Sequence, residues 1–451
     1  MIKENRELSE KNVGLERKVS ELEIKLNQNS KNSHLPPSSD KHALKIKAAF
    51  ERKKSGRNGG QPGHQGNTLE KREFVNEIIE LKADKCTCGQ CLKGVRGELS
   101  ETRQEMELPR IAPWVNEYQL FTTRCPRCGG YNQGTFPAGI TAPTQYGSRF
   151  KAFCCMLNTV YKIPMKKLQE LMEGLVGMPI NESTIHQINK KAFQYLEKTE
   201  EQLKDRLLHA ETIHVDETGV ESGKKLEWGH VISNGECTLI QIHPKRGGDA
   251  ILEESSILWK FKGRIIHDCF SIYFQLILAI HGICGAHLLR ELQAQIEIGK
   301  SWASQMHQYL LEIKGNTCFA NKKSKTSILR KYCFLLNQGK KEEPPPIRTG
   351  TRGRDKKSKG LNLIQRMLDY KNHVLAYAFD PLIPFTNNQA ERDLRHLKVK
   401  LKVSGRFRSY EGSRCYARIT SFTSTLQKNG LNMLDGLTDL FQNRNYEFNW
   451  C

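Results

Sequence analysis

Near the amino terminus apolar and amide residues recur in alternating steps of three and four. The series Asn5, Leu8, Asn12, Leu15, Val19, Leu22 and Leu26 is the a/d seam of a coiled coil. In that register Lys11 faces Glu16 and Lys18 faces Glu23 of a second helix, which predicts a parallel pair whose register Asn5 and Asn12 fix. The alternative is a surface helix packed on its own domain. The periodicity then stops. From Asn29 to Gly66 the chain is polar, basic and rich in Pro and Gly, so it predicts a flexible linker able to touch phosphates without reading sequence.

Further on, the pattern predicts helix, break and helix between Pro164 and Tyr195, with the break at Gly177-Met-Pro-Ile-Asn181 and a cap near Ser183. This fits a helix-turn-helix or two packed core helices. Ile213-His-Val-Asp216 alternates apolar and polar positions, predicting a strand that ends at its acid, just before Thr218-Gly219. Arg264-Ile-Ile-His-Asp268 repeats the device. After Pro384-Phe-Thr, either Asn387 or Asn388 is placed to cap a helix that carries Glu391 in its first turn or so.

Composition narrows the partners. A chain of 451 residues implies several modules, and 70 Lys and Arg against 49 acids give a net charge of +21, which favours a polyanion such as nucleic acid. No apolar run reaches the roughly 18 to 20 residues of a membrane span, and Met1 opens a polar helix rather than a signal peptide, so the expectation is a cytoplasmic protein without membrane contact. Of 14 cysteines, five fall between Cys86 and Cys128, a pattern for a metal knuckle rather than a disulfide scaffold. Two CxxC turns, Cys88 with Cys91 and Cys125 with Cys128, offer four thiolates to a structural Zn²⁺. Four reduced structural cysteines are the other reading.

The acids carry the chemistry. Two carboxylates at the ends of neighbouring strands and a third on a helix suit Mg²⁺, or Mn²⁺ in its place, because such ions take oxygen ligands and keep positions for water and phosphate. An ion pair held by Asp216, Asp268 and Glu391 would serve in-line phosphoryl displacement. Taken singly, the two aspartates could simply end strands and Glu391 could simply suit a helix N-terminus. After Glu391 come Arg392, Arg395, Lys398, Lys400, Lys402, Arg406, Arg408 and Arg414, with almost no opposing charge, which points to phosphate contact beside the acids.

Taken in order, these features resemble the insertion-sequence 66 family of transposases along nearly the whole chain. The resemblance rests on the zipper, the Pro-Pro-Ser-Ser-Asp ending at Asp40, Gly-Gly-Gln-Pro-Gly-His-Gln-Gly, the cysteine pairs, His-Val-Asp-Glu-Thr, the segment from His281 through Cys284 and His287 to Arg290, and Pro-Phe-Thr-Asn-Asn-Gln-Ala-Glu-Arg leading to Ser-Gly-Arg-Phe-Arg-Ser. It implies a multidomain α/β protein in which Asp216, Asp268 and Glu391 bind the metal of an RNase-H-like core and catalyse DNA cleavage and strand transfer. The implied partners are double-stranded DNA (transposon ends and target), further copies of the chain in a homodimer or larger assembly, and accessory proteins of the same element.

The domain reading is a zipper helix at 1–30, a basic linker at 31–82, a zinc-finger-like domain at 83–135 and a helical segment at 136–210. The catalytic domain follows at 211–425 with a helical insertion at about 280–380, then a helical tail at 426–451. The resemblance also implies a mainly helical insertion, since 51 residues separate Asp216 from Asp268 and 122 separate Asp268 from Glu391. Within it Cys284-x-x-His287 looks like a signature of related DDE enzymes and is read as a packed structural pair, with a metal role as the alternative. The first cysteine cluster, Lys-Cys-Thr-Cys-Gly-Gln-Cys, departs from the family's usual Cys-Pro-x-Cys-Gly. The run from Glu342 to Lys359 reads as an exposed basic loop. Two other functions remain open from the residues alone: a non-catalytic, sequence-specific DNA-binding protein, and a metal-dependent nuclease without strand transfer.

Overall fold

The computed structural model describes residues 12, 15, 19, 22, 69–253, 256–315, 322–346 and 357–450. Most of the zipper seam, the linker up to Gly66 and residues 347–356 of the basic loop lie outside that set. Of the seam, Asn12, Leu15, Val19 and Leu22 are helical, and all four are exposed. Leu69–Pro113 belongs to a smaller compact unit and Trp114 onward to a larger one.

The smaller unit is extended, pinned where Lys71 Nζ donates to the Thr102 carbonyl (2.6 Å) and where the Arg72 N–H donates to Gln104 Oε1 (2.7 Å). A tight loop surrounds Cys86 to Cys91, where Lys85 and Cys91 form an isolated antiparallel bridge.

The larger unit opens with a hairpin of β1 (Thr122–Arg124) and β2 (Tyr131–Gln133). Four helices follow: α1 (Ser148–Thr159), α2 (Met165–Leu171), α3 (Glu182–Tyr195) and α4 (Glu197–Leu208). The helix-break-helix expectation is met in outline, with Asn181 in the cap position of α3, two residues before Ser183. Ile185, Ile188 and Ala192 of α3 and Leu168 of α2 are buried in the main core, so these helices have apolar faces turned inward.

A five-stranded mixed sheet comes next: β3 (Thr212–Ser222), β4 (Lys225–Ser233), β5 (Thr238–His243), β6 (Arg264–His267) and β7 (Ile280–Ile283), in the spatial order β5-β4-β3-β6-β7. The first three are antiparallel neighbours, whereas β6 runs parallel to β3 and to β7. β3 continues past Asp216 to Ser222, which corrects the expectation of a strand ending at that acid. Asp268 does follow the last residue of its strand.

Helices α5 (Gly285–Glu297), α6 (Ser301–Gly315), α7 (Lys322–Glu342) and α8 (Lys359–Asp369) fill the interval after β7. Trp302, Met306, Tyr332, Leu336, Ile364 and Met367 give this helical region its own core, joined to the sheet by Ile266 and Ile283. The chain then returns in α9 (Asn388–Ser404), α10 (Tyr410–Lys428) and α11 (Met433–Asn443).

Period-two alternation sends residues of one strand to opposite faces. Ile213 and Val215 enter the core shared with α1, α3 and α10, while Val220 packs against Ala390, Leu394 and Leu397 of α9. Those α9 residues recur at steps of four and three, the stripe by which a helix covers a sheet. Gly229 of β4 makes the close approach feasible, since a Cβ there would lie 2.5 Å from Leu397 Cδ1. Edge strand β5 is capped laterally by α10: the backbone N–H of Ile240 donates to Ser421 Oγ (2.8 Å) and that of Thr238 to Thr425 Oγ1 (3.1 Å). Two helix hydroxyls thus occupy backbone donors that would otherwise invite another strand.

Candidate active site

The parallel register pairs Thr212 with Arg264, Ile213 with Ile265 and His214 with Ile266. Extending it by two residues sets Asp216 level with Asp268, and by alternation Asp216 shares the sheet face of His214 and Val220. That face is the one α9 covers. Asp216 is therefore a mid-strand residue at the level where its parallel neighbour ends, and Asp268 stands in the turn that ends it. The turn is tight: Asp268 Oδ1 accepts from the Phe270 N–H (3.0 Å), and Cys269 between them has φ +78°, uncommon for a residue with a side chain.

The electrostatics mark the pair. Burial, then the neighbouring carboxylates of Glu217 and Asp268, push the Asp216 carboxyl up to about 7, with Lys398 of α9 and the Glu217 N–H pulling the other way. A carboxyl held among like charges favours a proton or a bound cation.

Glu391 occupies the first turn of α9. Its Oε1 lies 3.5 Å from Arg290 Nη2 and 3.6 Å from His287 Nδ1, both on α5. Cys284, His287 and Glu391 bring their ligand-type atoms within 4.8 Å of one another. This mixed set of thiol, imidazole and carboxylate differs from the hard oxygen set that Mg²⁺ prefers. Burial raises the Cys284 thiol above its ordinary value, and its Sγ accepts the Asn387 N–H (3.2 Å). Asp216 and Asp268, oxygen donors at one strand end, fit a hard divalent ion better.

Asn387 joins these pieces. It is fully buried, and rather than capping α9 with its side chain it donates Nδ2–H to the Val215 carbonyl (2.8 Å) while Oδ1 pairs with His214 Nδ1 (2.9 Å). One residue therefore ties the start of the Glu391 helix to the strand on either side of position 215 and, through its backbone, to Cys284. The expectation of a cap at Asn387 or Asn388 located the helix start but mistook what the side chain does.

Sequence reasoning also passed over Glu217. On the opposite face from Asp216, its carboxylate accepts from Arg246 (Nε 3.1 Å, Nη2 2.9 Å) and from the Tyr273 hydroxyl (2.7 Å). Its pKa is nevertheless raised, because burial and Asp268 outweigh those partners. The Arg246 guanidinium stacks over Trp228 (4.9 Å) and Phe270 (4.4 Å), which braces the turn that follows Asp268. The signal was visible, since Glu217 is part of His-Val-Asp-Glu-Thr, but alternation alone does not tell which of two adjacent acids faces a helix.

The basic run divides between elements. Arg392, Arg395, Lys398 and Lys402 lie on α9 and are exposed, as are Arg406 and Arg408 in the segment after it. Arg406 Nη1 donates to the Gly223 carbonyl (3.1 Å), and Phe407 bridges Ser222, so this segment is fastened to the β3–β4 hairpin.

The cysteine loops resemble each other locally. The Cys125 N–H donates to the Gly130 carbonyl (2.7 Å) and the Gly129 N–H, at φ +74°, to the Cys125 carbonyl (2.9 Å). In the smaller unit the same pattern, one residue tighter, begins at Cys86: its N–H reaches the Gln90 carbonyl (2.9 Å) and the Gly89 N–H, at φ +92°, returns to Cys86 (2.8 Å). The backbone N–H of Cys88 holds the Cys86 thiol below its ordinary value, as that of Cys128 does for Cys125. Within its loop Cys86 with Cys88 thus occupies the place that Cys125 with Cys128 holds, while Cys91 lies on the bridge that closes it.

Among the described residues no helix is long and apolar enough to cross a membrane. A family model described as Transposase IS66 family matches residues 143–415, more than half of the chain. A model of a family of unknown function matches residues 2–70. None of the curated proteins compared matches the chain.

Proposed function

The chain belongs to the IS66 transposase family, and from that premise we propose that it cleaves transposon ends and joins them to target DNA using Asp216, Asp268 and Glu391. The observation that carries the proposal is the parallel register of β3 and β6, which sets two carboxylates at one level of the sheet, with the helix that bears the third packed over β3. Three antiparallel strands followed by two parallel ones, with helices on both faces, support reading the core as RNase-H-like.

Asp216, Asp268 and Glu391 would hold divalent Mg²⁺ or Mn²⁺, which when bound activates the attacking oxygen and stabilises the leaving one. The protein does the rest through position. Asn387 sets the distance between β3 and the helix of Glu391, while Arg290 and His287 orient the Glu391 carboxylate. Arg395, Lys398 and Lys402 follow Glu391 along one flank of α9 and would seat the phosphates on either side of the scissile one, with Arg392, Arg406 and Arg408 extending the track.

Other segments take supporting parts in the same reading. The exposed helical residues Asn12, Leu15, Val19 and Leu22 suit pairing with a second copy, as the joining of two ends requires. The cysteine hairpins suit Zn²⁺ knuckles, with Cys125 and Cys128 in one and, in the other, Cys88 with Cys86 or Cys91.

The test is Mg²⁺-dependent cleavage and joining of the element's terminal duplex by the purified full chain. Wild type should nick the end and join its 3′ hydroxyl to a target, and Asp216→Asn and Glu391→Gln should do neither while still binding DNA. Cleavage without joining would identify a nuclease, and cleavage retained in both variants would remove these acids from the chemistry.

A further inference from the structure

At about 100° per residue, α9 carries two distinct charged flanks. Glu391, Arg395, Lys398 and Lys402 project along one. His396 and Lys400 project along the other, toward the loop between α1 and α2, where Lys162 comes to meet them.

Three bases converge there. Lys162 Nζ lies 3.4 Å from His396 Nδ1 and donates to the Val160 carbonyl (2.8 Å). Lys400 Nζ sits 5.8 Å from the centre of the Tyr416 ring, whose hydroxyl donates to the His396 carbonyl (3.1 Å). The backbone at Lys162 has φ +63°, an uncommon conformation for a residue with a side chain. The acid closest in sequence, Asp393, is committed to Lys428 (2.8 Å) and Gln389 (3.0 Å). Among the described residues no carboxylate pairs with Lys162 or Lys400. Burial and the Lys162 charge lower Lys400 to about 8, and burial followed by Lys162 lowers His396. With Lys162 donating to Nδ1, the neutral imidazole carries its proton on Nε2 and has a donor to offer.

Half-buried cations crowded together without an acid are stabilised by an anion that accepts from all of them. We infer that Lys162, His396 and Lys400 form an anion pocket that takes a backbone phosphate of duplex DNA, on the flank of α9 away from the three acids. The identity of the anion as DNA rests on the function proposed above. The pocket gives α9 a second hold on the duplex, so that one helix both carries an acid of the cleavage site and is anchored from behind.

The experiment measures the affinity of the full chain for a duplex of arbitrary sequence as salt is varied. The Lys162→Gln/Lys400→Gln double variant should reduce the slope of log K against log salt by about 1 to 2 and weaken binding by on the order of tenfold. Lys400→Arg should keep the wild-type slope. Lys162→Gly, which suits the positive φ, should lower the slope by about 1 without disturbing the turn. A wild-type slope in the double variant and in Lys162→Gly overturns the proposal, and so does loss of inorganic phosphate binding with DNA binding unchanged, which would leave an anion pocket that DNA does not use. Asp216→Asn should leave the slope unaltered, so failure of the cleavage mechanism and failure of the pocket give different results.

Discussion

Asp216 and Glu217 are consecutive in one strand, and the two faces of β3 treat them differently. Glu217 looks into the main core and meets a guanidinium and a phenol that occupy its oxygens. Asp216 looks toward α9 and meets other carboxylates, with Lys398 as the cation acting on it. Both are buried, and burial raises both. A carboxylate supplied with partners braces the fold, whereas one placed among its own kind is costly to ionise until a cation arrives. On the proposed function this difference separates a structural acid from a metal-holding one, which neither residue type nor burial reveals.

The largest expected effect follows from that difference. Asp216→Asn should lower cleavage on the order of 10³-fold or more, since losing metal-borne charge stabilisation removes several kcal/mol from the transition state. Glu217→Gln should leave cleavage within about tenfold of wild type, as read in the same gel assay. Equal losses in both would erase the contrast.

Next in size is the cost to the fold. Glu217→Ala deprives Arg246 and Tyr273 of their acceptor and should destabilise the protein by about 2 to 3 kcal/mol, below the cost of breaking a fully buried pair because Arg246 is partly exposed. Urea unfolding would report it. Asn387→Ala cuts the ties to Val215 and His214 and should reduce cleavage by about 10- to 100-fold, the usual penalty for losing a residue that orients metal ligands. Restoration by Asn387→Asp would show that only the bond to His214 matters.

How far the sequence disclosed this arrangement depends on the element. Asp268 was legible because the short β-branched run Arg264-Ile-Ile-His leads to it and nothing continues the strand. The true end of β3 was not, because Thr218-Gly219 looks like a break. In the fold Gly219 is paired opposite Trp228, and a Cβ there would lie 3.1 Å from Leu226 Cδ1, so the glycine gives room to a cross-strand neighbour. The helix of Glu391 was legible from its cap region, yet the use of Asn387 as a tie across to β3 depends on a tertiary contact between residues 172 apart in the chain. Lys162 could not have been foreseen, since it lies 234 residues from His396.

A smaller effect concerns pH in metal-free protein. The Asp216 carboxyl, pushed up to about 7 when folded, holds its proton more tightly than in the unfolded chain. The stability this proton contributes is fully present below the unfolded value of about 3.9 and is lost as pH rises through the folded one. Thermal melts should therefore fall between about pH 4 and pH 7 in wild type more steeply than in Asp216→Asn, and added Mg²⁺ should flatten the wild-type curve. Identical curves would mean that burial and the neighbouring carboxylates do not raise the Asp216 carboxyl.

The central claim is that Asp216 and Asp268 share a divalent ion while Glu217 does not. Mn²⁺ binding to the full chain, followed by electron paramagnetic resonance, tests it most directly. The account predicts saturable binding in wild type, weakened at least about tenfold in Asp216→Asn and in Asp268→Asn and unchanged in Glu217→Gln. Wild-type Mn²⁺ affinity in both aspartate variants would contradict it.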